Sequence, residues 1–186
     1  MRPRHRALTA IATASLAILP LAACTNTGEE EPTASPTTQE APPTANPADA
    51  TLQERIEASF DASDASAADG WKDTSYIDEF FVPELAEKQR VDDEERAESG
   101  SVITGETELS DWDVVEESET VAVVEFCQDT SDLKATKNGE PVEISNQNGE
   151  SVGRFTLVRE SDSEPWMIQE QGYYEEGTTC DAHFGG

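Results

Sequence analysis

Val121-Ala-Val-Val-Glu-Phe-Cys127 is the stretch on which the reading of the fold turns. It is β-branched and apolar, with Ala122, Val124 and Phe126 on one face and Val121 and Val123 on the other, and this pattern predicts a central strand. Upstream, Val102 to Val115 predicts one long, bent strand anchored by Trp112 and Val114, with Glu116 to Glu119 forming the turn. Downstream, Asn138-Gly139 and Asn148-Gly149 are hairpin signals, because both residue types tolerate the positive φ of a type I′ turn. Arg154 to Glu160 and Trp166 to Tyr174 complete an antiparallel meander, joined through Asp162, Ser163 and Pro165.

Before the strands the apolar period is helical. Thr51-Leu-Gln-Glu54 has the form of a capping box, in which a hydroxyl and a Glu three residues on satisfy N–H groups at a helix start. Leu52, Ile56 and Phe60 recur on one face, alanines follow to Ala68, and Asp69-Gly70 supplies the stop, after which Trp71 is expected to pack back. Ser75 to Phe81 predicts a short second helix with Tyr76, Phe80 and Phe81 as its apolar set. Pro83 suits the first turn of a third helix running to about Glu98. Its charges, Glu84 with Lys88 and Asp92 with Arg96, are spaced to support an exposed helix, and Leu85 and Val91 are nearly all it offers a core. Helices first and strands after, without alternation, predict an α+β domain over residues 51–186, with N-terminal helices packed on a curved antiparallel sheet of four to six strands.

The chain ahead of this domain has a different grammar. Arg2, Arg4 and Arg6 precede a mostly Ala, Leu and Ile run from Ala7 to Leu19, broken by Pro20, and together they read as a secretory signal over residues 1–23. The apolar run is at the low edge of what spans a bilayer. Leu21-Ala-Ala-Cys24 resembles the lipobox of bacterial lipoproteins, which implies that the Cys24 thiol is alkylated by a diacylglycerol and that the protein is held on the extracytoplasmic face of the cell membrane. The stretch from Thr25 to Ala50 carries prolines but no aromatic residue and no Val, Ile, Leu or Met. It lacks the surface to bury for folding. Residues 24–50 therefore read as the lipid anchor and a disordered Pro/Thr/Glu-rich tether, reaching at most about 80 Å at ~3.1 Å per residue.

Charge narrows the partners. The sequence has 12 Lys and Arg against 40 Asp and Glu. Three of the bases and none of the acids precede Cys24, so residues 24–186 hold 9 bases against the same 40 acids. Such a surface repels nucleic acid and anionic lipid headgroups. Solvation of an exposed, anchored domain accounts for the acidity; recruitment of cations or of a basic partner is the sharper alternative.

Two or three helices feeding a strongly curved antiparallel sheet is similar to the cone-shaped NTF2-like, or cystatin-like, fold. More closely, Phe80-Phe-Val-Pro-Glu-Leu85, Val121 to Ser131, Asn138-Gly-Glu-Pro-Val142, Gly153 to Glu160, Trp166-Met-Ile168 and Gly177-Thr-Thr-Cys180, in that order, resemble a group of uncharacterised actinobacterial lipoproteins over about 110 residues. The group has no settled activity, so the resemblance implies fold and location rather than chemistry.

With Cys24 lipidated, Cys127 and Cys180 remain as an even pair in an oxidising compartment, and a disulfide is expected. Closing a loop of about 54 residues stabilises by roughly 4 kcal/mol in the chain-entropy model. A catalytic cysteine or a serine triad would each depend on His183, the one histidine after Cys24, in a glycine-flanked tail that holds a base poorly. No metal is expected: an EF-hand loop around Asn138-Gly139 would place its first ligand at Lys134, a cation, and Asp92, Asp93, Glu94 and Glu95 read as a solvated helix face. No phosphate-binding glycine loop occurs, and no cofactor is expected. The reading is of a lipid-anchored, non-enzymatic module that binds an envelope ligand or protein. Trp71, Tyr76, Phe80, Trp112 and Trp166 are the aromatics available to line a cavity between helices and sheet. The alternatives are a small enzyme using a buried Asp or Glu in that cavity, and a passive spacer.

Overall fold

The computed structural model describes residues 46–144 and 149–185; the signal, Cys24 and Asn148 of the second hairpin signal lie outside the described residues. A single 3-10 turn, Pro47–Asp49, precedes the domain. α1 (Leu52–Ala68) opens with the capping box: the Thr51 hydroxyl accepts from the Glu54 amide at 3.2 Å and the Glu54 carboxylate accepts from the Thr51 amide at 2.8 Å. After its end the Trp71 amide donates to the Ser66 carbonyl at 2.8 Å, and the Trp71 ring is buried. α2 (Tyr76–Phe80) and α3 (Pro83–Glu98) follow, the second starting on its proline.

The strands are β1 (Ser101–Thr104), β2 (Glu108–Glu117), β3 (Val121–Asp129), β4 (Lys134–Lys137), β5 (Glu140–Val142), β6 (Glu150–Val158) and β7 (Met167–Tyr173), and α4 (Cys180–Phe184) closes the chain. The pairings between these seven strands are antiparallel. They form a main sheet in the order β2-β3-β6-β7 and a smaller one in the order β1-β4-β5. The fold is thus α+β with helices packed on antiparallel sheet, and Val121 onward is indeed an inner strand, flanked by β2 and β6.

Two expectations are corrected by the structure. The segment from Val102 to Val115 is not one bent strand. It breaks at Gly105, where φ is +112° and an added Cβ would stand 2.6 Å from the Asp132 carbonyl oxygen, and β1 and β2 join different sheets. For the same reason the strands are not a simple meander: the β4–β5 hairpin, turned at Asn138 (φ 52°) and Gly139 (φ 82°), leaves the main sheet to pair with β1.

The core lies on the helix-facing side of the main sheet. Ala122, Val124 and Phe126 of β3 stand beside Leu157, Phe155 and Gly153 of β6, and all are buried. Gly153 is required there, because a Cβ would come within 2.7 Å of the Phe126 ring. Ile56 and Phe60 of α1, Ile77 of α2 and Ile168 of β7 cover this face. On β2, Leu109 and Trp112 both pack against the core although they are three residues apart, which strict alternation forbids. The irregularity between Ser110 and Asp113, with Asp111 at φ 51°, resets the alternation. Val114 does not serve as the expected anchor: it is exposed on an edge strand, which has a neighbour on one side only.

Candidate functional site

A recess of about 360 Å³ opens between α1, α3 and the strands. α1 supplies Ser59, Ser63 and Asp64, α3 supplies Gln89 and Arg96, and the end of β3 supplies Gln128. Trp71 and Phe81 give it apolar wall. Gln128 follows Phe126 on the inner face by strand alternation, and its Oε1 is buried with no hydrogen-bond partner among the described residues. Asp64 accepts from the Thr107 amide at 2.8 Å and from its hydroxyl at 3.3 Å. Burial pushes the Asp64 carboxyl up, and the Thr107 hydrogen bonds only partly oppose this.

Arg96 connects the recess to a second group. It donates to Asp93 at 2.8 Å, and its guanidinium carbon lies 5.7 Å from the centroid of the Trp71 ring. Asp93 also accepts from the Tyr76 hydroxyl at 2.7 Å and the Gln89 amide at 3.1 Å, so it is fully buried and fully partnered. It ties α2 to α3. Burial, with the Asp93 carboxylate beside it, pushes the Tyr76 hydroxyl well above the usual phenol range.

A third group sits on the opposite face of the main sheet. Glu125 of β3 accepts from the Tyr174 hydroxyl at 2.6 Å, from His183 Nε2 at 2.8 Å and from the guanidinium of Arg154, its partner across β6. Burial pushes the Glu125 carboxyl up, but these three donors and the Arg154 charge outweigh it and hold the group below the ordinary carboxylate range. The Tyr174 hydroxyl is raised in turn, chiefly by its bond to Glu125. α4 covers this side. The disulfide joins Cys127 to Cys180 across 53 residues with Cα atoms 5.6 Å apart, and Val152 and Phe184 pack against it. His183 is therefore held in place by a capped, cross-linked helix, with the Thr179 hydroxyl accepting from the Ala182 amide at 3.2 Å.

No family model and no curated protein matches the chain. Among solved structures, the intermembrane space region of the chloroplast protein ARC6 aligns with a TM-score of 0.47 at 13% identity, over 67% of this chain and 94% of that one.

The five aromatics expected at a cavity are not brought together. Trp71 lines the recess. Tyr76, Phe80 and Trp166 are packed in the core, where Arg55 lies 4.3 Å over Phe80 and Arg159 the same distance over Trp166. Trp112 is half-buried, 5.1 Å from Phe126. Of the acidic run on α3, Asp93 is no part of a solvated face; three donors on α2 and α3 take the place of water, while Val91, expected in the core, is exposed. Arg55 is not legible as a core residue: its Nε donates to the Trp166 carbonyl at 2.7 Å and its guanidinium to the Glu79 carbonyl, joining α1, α2 and the start of β7. Its only signal is its place next to Ile56 on the buried stripe of α1. Among the described residues no three His, Cys, Asp or Glu are grouped to hold a metal ion, and no helix is long and apolar enough to cross a membrane.

Proposed function

We propose that this protein is a lipid-anchored, extracytoplasmic binding module of NTF2-like form, and that the recess between α1, α3 and the sheet is its ligand site. The observation that carries the reading is the lining of that recess, which sets the rings of Trp71 and Phe81 beside the polar side chains of Gln89, Gln128 and Gln171. Apolar walls with a few polar groups are the make-up of small-ligand sites. The volume is within the range of small-ligand sites. The lipobox at Leu21–Cys24 supports the anchor, and the Thr25–Ala50 spacer supports a domain held clear of the headgroups.

The two fully engaged carboxylates speak for binding over catalysis. Asp93 and Glu125 each hold three donors, so each serves as a structural acceptor that ties neighbouring elements together. A scan of Asp to Asn and Glu to Gln, with complementation of a deletion strain and melting temperature recorded for each variant, tests this. A general acid or base contributes about 10²- to 10⁴-fold through one residue while leaving the fold intact. The expected result is that no carboxylate abolishes function without lowering the melting temperature. A single position that does so, Asp64 above all, replaces the binding reading with carboxylate catalysis.

A further inference from the structure

Resting on the recess as a ligand site, we infer that its ligand is a small, uncharged, hydroxyl-rich molecule of the sugar or polyol class. Charge decides against the ionic classes. The recess lining holds one acid, Asp64, and one base, Arg96, and both are engaged: Asp64 by Thr107, Arg96 by the fully buried Asp93. An anion would have to compete for the Arg96 guanidinium with the buried Asp93 carboxylate. A cation would share the recess with the positive charge of Arg96. The remaining polar lining is neutral: the amides of Gln89, Gln128 and Gln171, with hydroxyls that include Ser63, Thr107 and Tyr173.

Polarity then sets what the ligand must offer. Gln128 and Gln171 each carry an amide that both donates and accepts, the Ser63 and Tyr173 hydroxyls do the same, and the Asp64 carboxylate accepts. The complement is a ligand whose groups both donate and accept, as O–H groups do. Trp71 and Phe81 give an apolar wall against which the C–H face of a sugar ring can lie, and about 360 Å³ has room for a monosaccharide.

The test titrates the full-length chain, followed by saturation-transfer NMR, with glucose, N-acetylglucosamine and myo-inositol as neutral probes, putrescine as a cation and hexanoate as an anion. At least one neutral probe is expected to bind saturably and the two charged probes are not. Gln128→Leu is expected to weaken that binding about tenfold while leaving the melting temperature unchanged or raised, because it removes a buried unpaired group. Saturable binding of putrescine or hexanoate, with none of the neutral probes, overturns the ligand class and leaves the recess a binding site. Absence of binding by all five probes counts against the recess itself. Neutral binding that survives Gln128→Leu undiminished overturns the assignment of the ligand to this recess.

Discussion

Glu125 has the most partners of any carboxylate on the sheet's outer face, and its environment fixes what its loss should do. Three donors converge on it from β6, the residue after β7, and α4, so Glu125→Gln removes an ionised acceptor and leaves Arg154 facing a neutral amide. Hydrogen bonds to charged groups are worth about 1.5–3 kcal/mol, and Arg154 is partly exposed, so a loss of about 1–3 kcal/mol at pH 7 is expected in urea unfolding. The sign of the pH dependence follows from the lowered carboxyl. A group with a folded pKa below its unfolded one stabilises fully above the unfolded value, near 4.3 for Glu, and that stability is lost as pH falls through the folded value. The gap between wild type and variant should therefore be full above about pH 5 and close on further acidification. A gap that stays open as the pH falls well below the ordinary carboxylate range would show that the Glu125 charge is not what these donors stabilise.

α4 shows what one element contributes when a covalent bond and packing act together. It has only five residues, too few to persist alone. The Thr179 cap, the Cys127–Cys180 bridge and the contacts of Phe184 with Val152 and the cysteines hold it on the sheet. Replacing both cysteines by Ser should cost about 2–4 kcal/mol and lower the melting temperature by about 5–15 °C, with amide exchange accelerated first in α4. Non-reducing peptide maps of the wild type should join Cys127 to Cys180; an unchanged melting temperature in the double variant would remove the bridge from the account of stability. Elements differ in how far the sequence discloses them. The capping box at Thr51, the proline start of α3, the hairpin at Asn138-Gly139 and the inner strand from Val121 are local signals, written in adjacent residues, and they are legible. The break at Gly105 is not, since it depends on the approach of Asp132, 27 residues away. Nor are Asp93, whose burial depends on donors from Tyr76, Gln89 and Arg96, or α4, a run whose only local mark is Thr179. The recess is legible as a place between helices and sheet, but its polar lining comes from α1, α3 and several strands, which no periodicity relates.

At the scale of the whole molecule the charge decides how the protein can meet a membrane. With 9 bases against 40 acids after residue 23, the chain is repelled on balance by anionic headgroups, so the proposed attachment rests on the lipid on Cys24. Lipid and surface attachment respond differently to salt. An anchor of two acyl chains is held by buried methylene groups, at about 0.8 kcal/mol each, and resists high ionic strength, whereas attachment through a divalent cation bridging acids to the membrane is released by chelator or salt. Cells grown with a clickable palmitate analogue should therefore label the wild-type chain, which should stay in the membrane fraction through washes in 1 M salt and in EDTA. Cys24→Ser should lose the label and leave the membrane fraction, with the melting temperature of the domain unchanged, because the core is built from residues of the domain itself. Equal labelling of both forms would remove the lipid from the account. Release of the wild type by EDTA alone would assign the membrane contact to the acidic surface instead.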